Sequence, residues 1–177
     1  MINGASGGVG TFAVQIAKSF AAEVTGVCST RNVEMVRSIG ADPVIDYRRE
    51  NFTEGEQRYD LILDNAGNHS LSAIRRVLRP KGRYVQVGGP DKGQWIGPMA
   101  APLKAVLFSR FVSQKFVMFI ARGNRDDMTT VSDLMEAGKV TPVIDRRYGL
   151  SEVADAIRYL EEGHARGKVV IVAERND

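Results

Sequence analysis

The sequence predicts a doubly wound α/β fold, a parallel sheet with helices on both faces, and three observations carry the prediction. Residues 4–10 read GASGGVG and lead straight into a helical pattern. Short apolar runs then alternate with helical ones as far as Ala137. Runs of these lengths imply parallel strands joined by right-handed crossovers.

From Gly10 to Phe20 apolar residues recur at helical spacing, with Val9, Phe12, Ala13, Ile16, Ala17 and Phe20 on one expected core face. Glu23 to Cys28 reads as a strand, and Asn32 to Ile39 as a helix closed by Gly40. Pro43 to Asp46 and Tyr59 to Asn65 are the next two strands, with turn residues around them. A helix from Leu71 to Leu78 stops before Pro80. Arg83 to Val87 is a strand running into Gly88 and Gly89, Lys115 to Ala121 a strand or buried segment, and Asp126 to Ala137 a helix. Six strands in the order 3-2-1-4-5-6 give the Rossmann arrangement. Only Met1, Ile2 and Asn3 precede the glycine turn, where about five residues are usual, so an upstream piece is expected to have been removed.

After Gly138 the alternation breaks. VTPVIDRRY reads as a strand, Ser151 to Glu162 as an amphipathic helix and Lys168 to Ala173 as a final strand. The expected division is a nucleotide-binding domain over 1–138 and, over 139–177, an α+β tail that packs on or belongs to a second domain.

The bulk numbers exclude several classes. The 177 residues suit one domain with an appendage. A formal charge of +3 is too mild to argue for nucleic acid. One cysteine, Cys28, rules out an internal disulfide framework and a Cys-rich zinc site and fits a reducing, cytoplasmic setting. The apolar region Met99 to Ala121 is broken by Pro102, Lys104, Arg110, Gln114 and Lys115, so a soluble protein with no membrane span and no signal peptide is expected.

Within GASGGVG, Ala5, Gly7 and Gly10 hold the three positions of the dinucleotide fingerprint, Ala5 departing from the strict glycine. The turn must be tight, the backbone at Gly7 must come close to a pyrophosphate, and Gly10 must let helix and strand touch, all at a helix N-terminus that favours negative charge. Ala5, Ser6, Gly7, Gly8, Val9 and Gly10 are therefore candidate cofactor contacts. An acid that holds both ribose hydroxyls of NAD belongs at the end of the second strand. That end reads Cys28, Ser29, Thr30, Arg31, with no carboxylate. Small hydroxyls and a forked Arg donor suit a 2′-phosphate, which favours NADP(H). Ser29 and Thr30 also fit as caps of the following helix. Asn65, Ala66 and Gly67, with Val87, Gly88 and Gly89, end the fourth and fifth strands, where an α/β sheet receives its ligand. Tight turns alone would also explain these glycines.

The segments INGASGGVGTFAVQIAK, GADPVIDYRRENF, YDLILDNAG, LRPKGRYVQVGG and VTPVIDRRYGLSEVADAIRYLEEGHARGKVVI together resemble the zinc-independent quinone oxidoreductase branch of the medium-chain dehydrogenase/reductases, over essentially the whole chain. The resemblance implies an NADPH-using two-electron reductase, with Ser29 and Tyr47 around the adenosine 2′-phosphate. For Tyr47, an aromatic covering the adenine face or the sheet end is the plain alternative. It also implies an N-terminal GroES-like domain, absent here, that supplies most of the substrate pocket and, in zinc-dependent relatives, the metal ligands. The tail then reads as the return segment into that domain.

Other chemistries fail on spacing. No Tyr has a Lys four residues on, so the short-chain dehydrogenase site cannot be built, and Gly10 is followed by Thr11 without the lysine of a P-loop. His69 and His164 stand apart from other ligands, no metal site is assigned, and Asp64 reads as a strand-end cap. No catalytic residue is named, because hydride chemistry belongs to the nicotinamide while the protein orients it and excludes water.

The expected function is hydride transfer from NADPH to a quinone or an α,β-unsaturated carbonyl. A zinc-dependent alcohol dehydrogenase is the same-class alternative, a non-catalytic NADP(H)-sensing module another, and a methyltransferase a weaker third. Partners are a small-molecule substrate and a second copy of the chain, joined through strand 115–121 with Leu103 to Val112 over the seam.

Overall fold

The computed structural model describes residues 1–87, 113–118 and 123–173. Its central sheet has six parallel strands in the order β3-β2-β1-β4-β5-β6, as the alternation predicts. The strands are β1 (Ile2–Asn3), β2 (Gly26–Cys28), β3 (Val44–Asp46), β4 (Tyr59–Asp64), β5 (Leu78–Gln86) and β6 (Lys115–Met118). Helices α1 (Gly10–Ser19), α2 (Val33–Ser38), α3 (Leu71–Val77) and α4 (Arg125–Glu136) lie between or after them.

Neighbouring residues on a strand face opposite sides of the sheet, and the two hydrophobic clusters divide that way. Val27, Ile62, Tyr84 and Phe116 join Phe52, Ile74, Val77 and Leu78 in one cluster. Cys28, on the other face, joins Ala5, Val14, Val24, Val36 and Ala41 in the second. Gly26 belongs to that close packing, since a Cβ there would stand 2.6 Å from Val36 Cγ1.

Three element readings change. β2 is shorter than Glu23–Cys28, because Glu23 is exposed and only Gly26 onward pairs with both neighbours. β5 begins five residues earlier than Arg83, directly after α3. Its start at Leu78 pairs with Tyr59, and the register slips before Leu61 meets Arg83, so Pro80 sits in a bulge, a position that needs no ladder donor. In that bulge Lys81 has φ +66, and a Cβ on Gly82 would lie 2.9 Å from the Arg79 carbonyl oxygen.

The third change concerns α1, whose buried residues are Gly10, Thr11, Val14 and Gln15, while Val9 and Phe20 of the expected core face are 51% and 74% exposed. The reason is tertiary: α1 is covered by the tail as well as the sheet. Gln15 Nε2 donates to the Thr141 carbonyl at 2.9 Å and Gln15 Oε1 accepts from Thr141 N–H at 2.8 Å. A buried glutamine with both ends of its amide paired costs little.

The tail forms a β-α-β unit of its own: β7 (Ile144–Gly149), α5 (Val153–Glu161) and β8 (Lys168–Val172), with β7 and β8 parallel in a separate two-stranded sheet. Tyr159 hydroxyl and Arg166 N–H both donate to Asp145 Oδ2, tying the end of α5 to β7. Those bonds and the neighbouring arginines hold the Asp145 carboxyl below its ordinary range against the opposing effect of desolvation, which alone is the largest influence. Gly88, Gly89, Leu103 to Val112 and Phe119 to Ala121 lie outside the described residues.

Candidate functional site

The glycine turn is shaped mainly by backbone. Gly4 has φ +76, and the amides of Gly4 and Ala5 both donate to the Val27 carbonyl, at 3.1 and 3.0 Å, which pins the turn to β2. Thr11 Oγ1 donates to the Gly7 carbonyl at 3.1 Å. A Cβ on Gly10 would land on the Gly4 carbonyl oxygen and 2.7 Å from Ala5 Cα, so helix and strand meet there only through glycine. At Gly7 a Cβ would find nothing closer than 3.6 Å. No packing contact among the described residues requires that second glycine, and it lines a cleft.

The cleft, about 570 Å³, runs across the carboxyl ends of β1, β2 and β4. Of the residues expected from sequence, Ser6, Gly7, Gly8, Val9, Gly10, Ser29, Arg31, Tyr47, Asn65 and Ala66 line it. Ala5 is fully buried beneath the turn. Thr30, Gly67 and Val87 are not among the lining residues. Thr30 turns the other way, its hydroxyl donating to Asp46 Oδ2 at 2.6 Å. That bond is the main reason the Asp46 carboxyl sits below the usual carboxylate range, helped by the Arg48 amide and the charges of Arg49 and Arg48. The carboxylate of Asp46, register partner of Cys28 at the end of β2, is thus occupied, and no carboxylate appears among the described residues that line the cleft.

Sequence reasoning missed Asn3, Gly4, Cys28, Asn32, Asn68 and the segment Gly163–Ala165, the other described residues of the walls. The last comes from the tail. Gly167 N–H donates to the Ser6 carbonyl at 2.9 Å, and Arg31 donates to the His164 carbonyl at 2.7 Å, which fixes a guanidinium at the cleft mouth. The only legible signal for this was the GHARGK run after α5. Cys28 lies at the base of the cleft, where burial and, next, the charge of Asp46 push its thiol up to about 11, so it stays protonated at neutral pH.

Behind the end of β4 lies a polar hub rather than a simple cap. Asp64 is fully buried and accepts from Asn3 Nδ2 (2.8 Å), Tyr84 hydroxyl (2.9 Å), Ala66 N–H (3.0 Å) and Gly67 N–H (2.8 Å). Burial, then the Asp64 charge, drives the Tyr84 hydroxyl well above its ordinary pKa. Asn65 Nδ2 donates to the Asn3 carbonyl, while its Oδ1 is buried with no partner among the described residues.

Residues 39–171 match the family model described as zinc-binding dehydrogenase, three-quarters of the chain. The chain belongs to that family, within the medium-chain dehydrogenase/reductases. It is 36% identical to the NAD(P)H oxidoreductase RTN4IP1, mitochondrial, of Bos taurus, over 97% of this chain and 47% of that protein. It is 34% identical to the NADPH-dependent alkenal/one oxidoreductase, chloroplastic, of Arabidopsis thaliana, over 97% of this chain and 39% of that one. Among solved structures, the quinone oxidoreductase from Coxiella burnetii superposes with a TM-score of 0.79 at 27% identity, over 96% of this chain and 51% of that chain. The chain spans about half the length of the relatives it matches. The family description implies zinc. Among the described residues no three His, Cys, Asp or Glu side chains come together as a metal donor set, so no step is derived through a metal. No helix among the described residues is long and apolar enough to cross a membrane.

Proposed function

We propose that this chain binds NADP(H) in the cleft and, together with a substrate domain, presents the nicotinamide for hydride transfer to a quinone or an α,β-unsaturated carbonyl. When bound, the cofactor supplies the hydride. The protein's part is to hold and orient: the turn backbone and the N-terminus of α1 face a pyrophosphate, and Ser29, Arg31 and Tyr47 surround a 2′-phosphate. The observation that carries the reading is the end of β2, where Ser29 and the anchored Arg31 stand beside a cleft with no carboxylate among its described lining residues. The names of the relatives, NAD(P)H, alkenal/one and quinone oxidoreductases, support the substrate class. A zinc-dependent alcohol dehydrogenase, whose metal ligands would come from the substrate domain, is the weaker reading, since the relatives named above are NAD(P)H, alkenal/one and quinone oxidoreductases. Turnover by the longer protein separates either from a non-catalytic NADP(H) sensor.

NADPH is expected to bind at least about tenfold more tightly than NADH, the size of one charged hydrogen bond, and Arg31→Ala to remove most of that preference. Fluorescence titration that gives wild type equal affinities for the two would defeat the reading.

We propose further that residues 139–177 bridge to the substrate domain. Leu150, Ile157 and Leu160 of the tail are at least half exposed, and Ile171 and Val172 of β8 nearly so, an apolar surface that suits a covering partner. Homodimerisation through β6 is part of the same proposal, supported by its edge position and by Val117, 40% exposed. Light scattering should give a dimer that Val117→Pro weakens, because proline removes a ladder donor; a wild-type monomer, or a dimer indifferent to that change, rules the interface out. A reducing cytoplasmic setting is proposed from the lone cysteine, although the Bos taurus and Arabidopsis thaliana relatives are named as mitochondrial and chloroplastic.

A further inference from the structure

Asn32 occupies the N-cap of α2, where an asparagine ordinarily accepts a hydrogen bond from the first turn of its helix. Here it makes no such cap. It is 5% exposed, and its Nδ2 donates both to Ser29 Oγ at 3.1 Å and to Ser6 Oγ at 3.0 Å, while Oδ1 is buried with no partner among the described residues. The amide therefore gives up its local role and joins the end of β2 to a glycine turn 26 residues earlier in the chain.

A serine hydroxyl has one hydrogen to donate and two lone pairs. With one lone pair of each Oγ filled by Asn32, neither serine spends its hydrogen on that side chain. Both serines line the cleft, so each hydrogen remains available to a ligand there. We infer that Asn32 is a positioning residue that sets Ser6 and Ser29 as hydroxyl donors toward the anionic oxygens of the ligand, Ser6 at the pyrophosphate and Ser29 at the 2′-phosphate. This rests on the NADP(H) reading above. The chemistry also explains why an amide and not an acid stands here: a carboxylate at position 32 would accept from both serines, turn their hydrogens away from the cleft and add repulsion to phosphate.

The test is a set of NADPH and NADH titrations on wild type, Asn32→Ala, Asn32→Asp, Ser29→Ala and the Asn32→Ala/Ser29→Ala double variant, with melting temperatures of the unliganded proteins. Asn32→Ala should weaken NADPH about tenfold and lower the NADPH/NADH preference, with little change in melting temperature, since the side chain caps nothing. Asn32→Asp, nearly isosteric, should lose more. In the double variant the preference should fall no further than in Ser29→Ala alone, because Asn32 acts on it through Ser29. Equal weakening of both dinucleotides, additive loss of the NADPH/NADH preference in the double variant, or unchanged NADPH binding in Asn32→Ala would each overturn the inference. Should wild type bind neither dinucleotide, the reading of the cleft itself falls, and this inference with it. Wild-type binding beside an indifferent Asn32→Asp overturns only the role of Asn32.

Discussion

Gly10→Ala is expected to be among the most damaging single methyl groups in the described residues, costing about 3 kcal/mol or more and lowering Tm by roughly 6–12 °C for a protein of this size. The added Cβ would collide with the Gly4 carbonyl and approach Ala5 Cα to 2.7 Å, and all of these are backbone atoms that no rotamer change moves aside. Relief requires α1 to shift away from β1, which also displaces the turn amides, so dinucleotide affinity should fall with stability. Gly7→Ala is the control: its Cβ meets only ordinary contact at 3.6 Å, and its melting temperature should stay close to wild type while ligand affinity drops. Calorimetry and titration of the two variants check this; equal melting temperatures would show that the helix and strand are not locked at Gly10.

Asp64→Ala should cost a further large amount, about 3–5 kcal/mol, because it strands Tyr84 hydroxyl and the amides of Ala66 and Gly67 and takes one partner from Asn3. Asp64→Asn should cost distinctly less. Its Oδ1 still accepts from the two amides, and its Nδ2 donates to the Tyr84 oxygen. Denaturant unfolding orders the three proteins, and an Asp64→Ala cost under about 1 kcal/mol would mean that this hub does not hold the end of β4.

The order of the sheet was legible because it depends on local alternation and on a turn whose glycines are read directly. The cleft's glycine-turn residues were legible for the same reason, as were Ser29 and Arg31. What escaped was decided by distant partners. Gln15 is polar and lies outside the expected core face of α1, yet it is buried and bonded to Thr141, 126 residues away. Val9 and Phe20 fit the apolar face of α1 by period, yet the helix is turned so that Thr11 and Val14 meet the sheet side. Asp64 looked like a terminal cap because nothing near it in sequence announces Tyr84, one strand over. Asn32 looked like the start of a helix, and only the proximity of Ser6 reveals its other bond. Thr30, a phosphate candidate by position, is drawn aside by Asp46, whose place beside β2 follows from strand order and not from spacing.

The bonds between tail and glycine turn bear on how this protein can be recombined with its relatives. Gly138 ends α4 with φ +67 and looks like a natural splice point, the place where an engineer would exchange one cofactor half for another. Yet the halves on either side of it share a buried amide pair, Gln15 with Thr141, and the Ser6 carbonyl takes its donor from Gly167. A chimaera joined at that glycine would inherit one side of each bond and leave the other to chance. On the proposed NADP(H) reading, cofactor preference is expected not to move with residues 1–138 alone, and a graft meant to carry it should run to the end of β8 so that both termini of these contacts travel together.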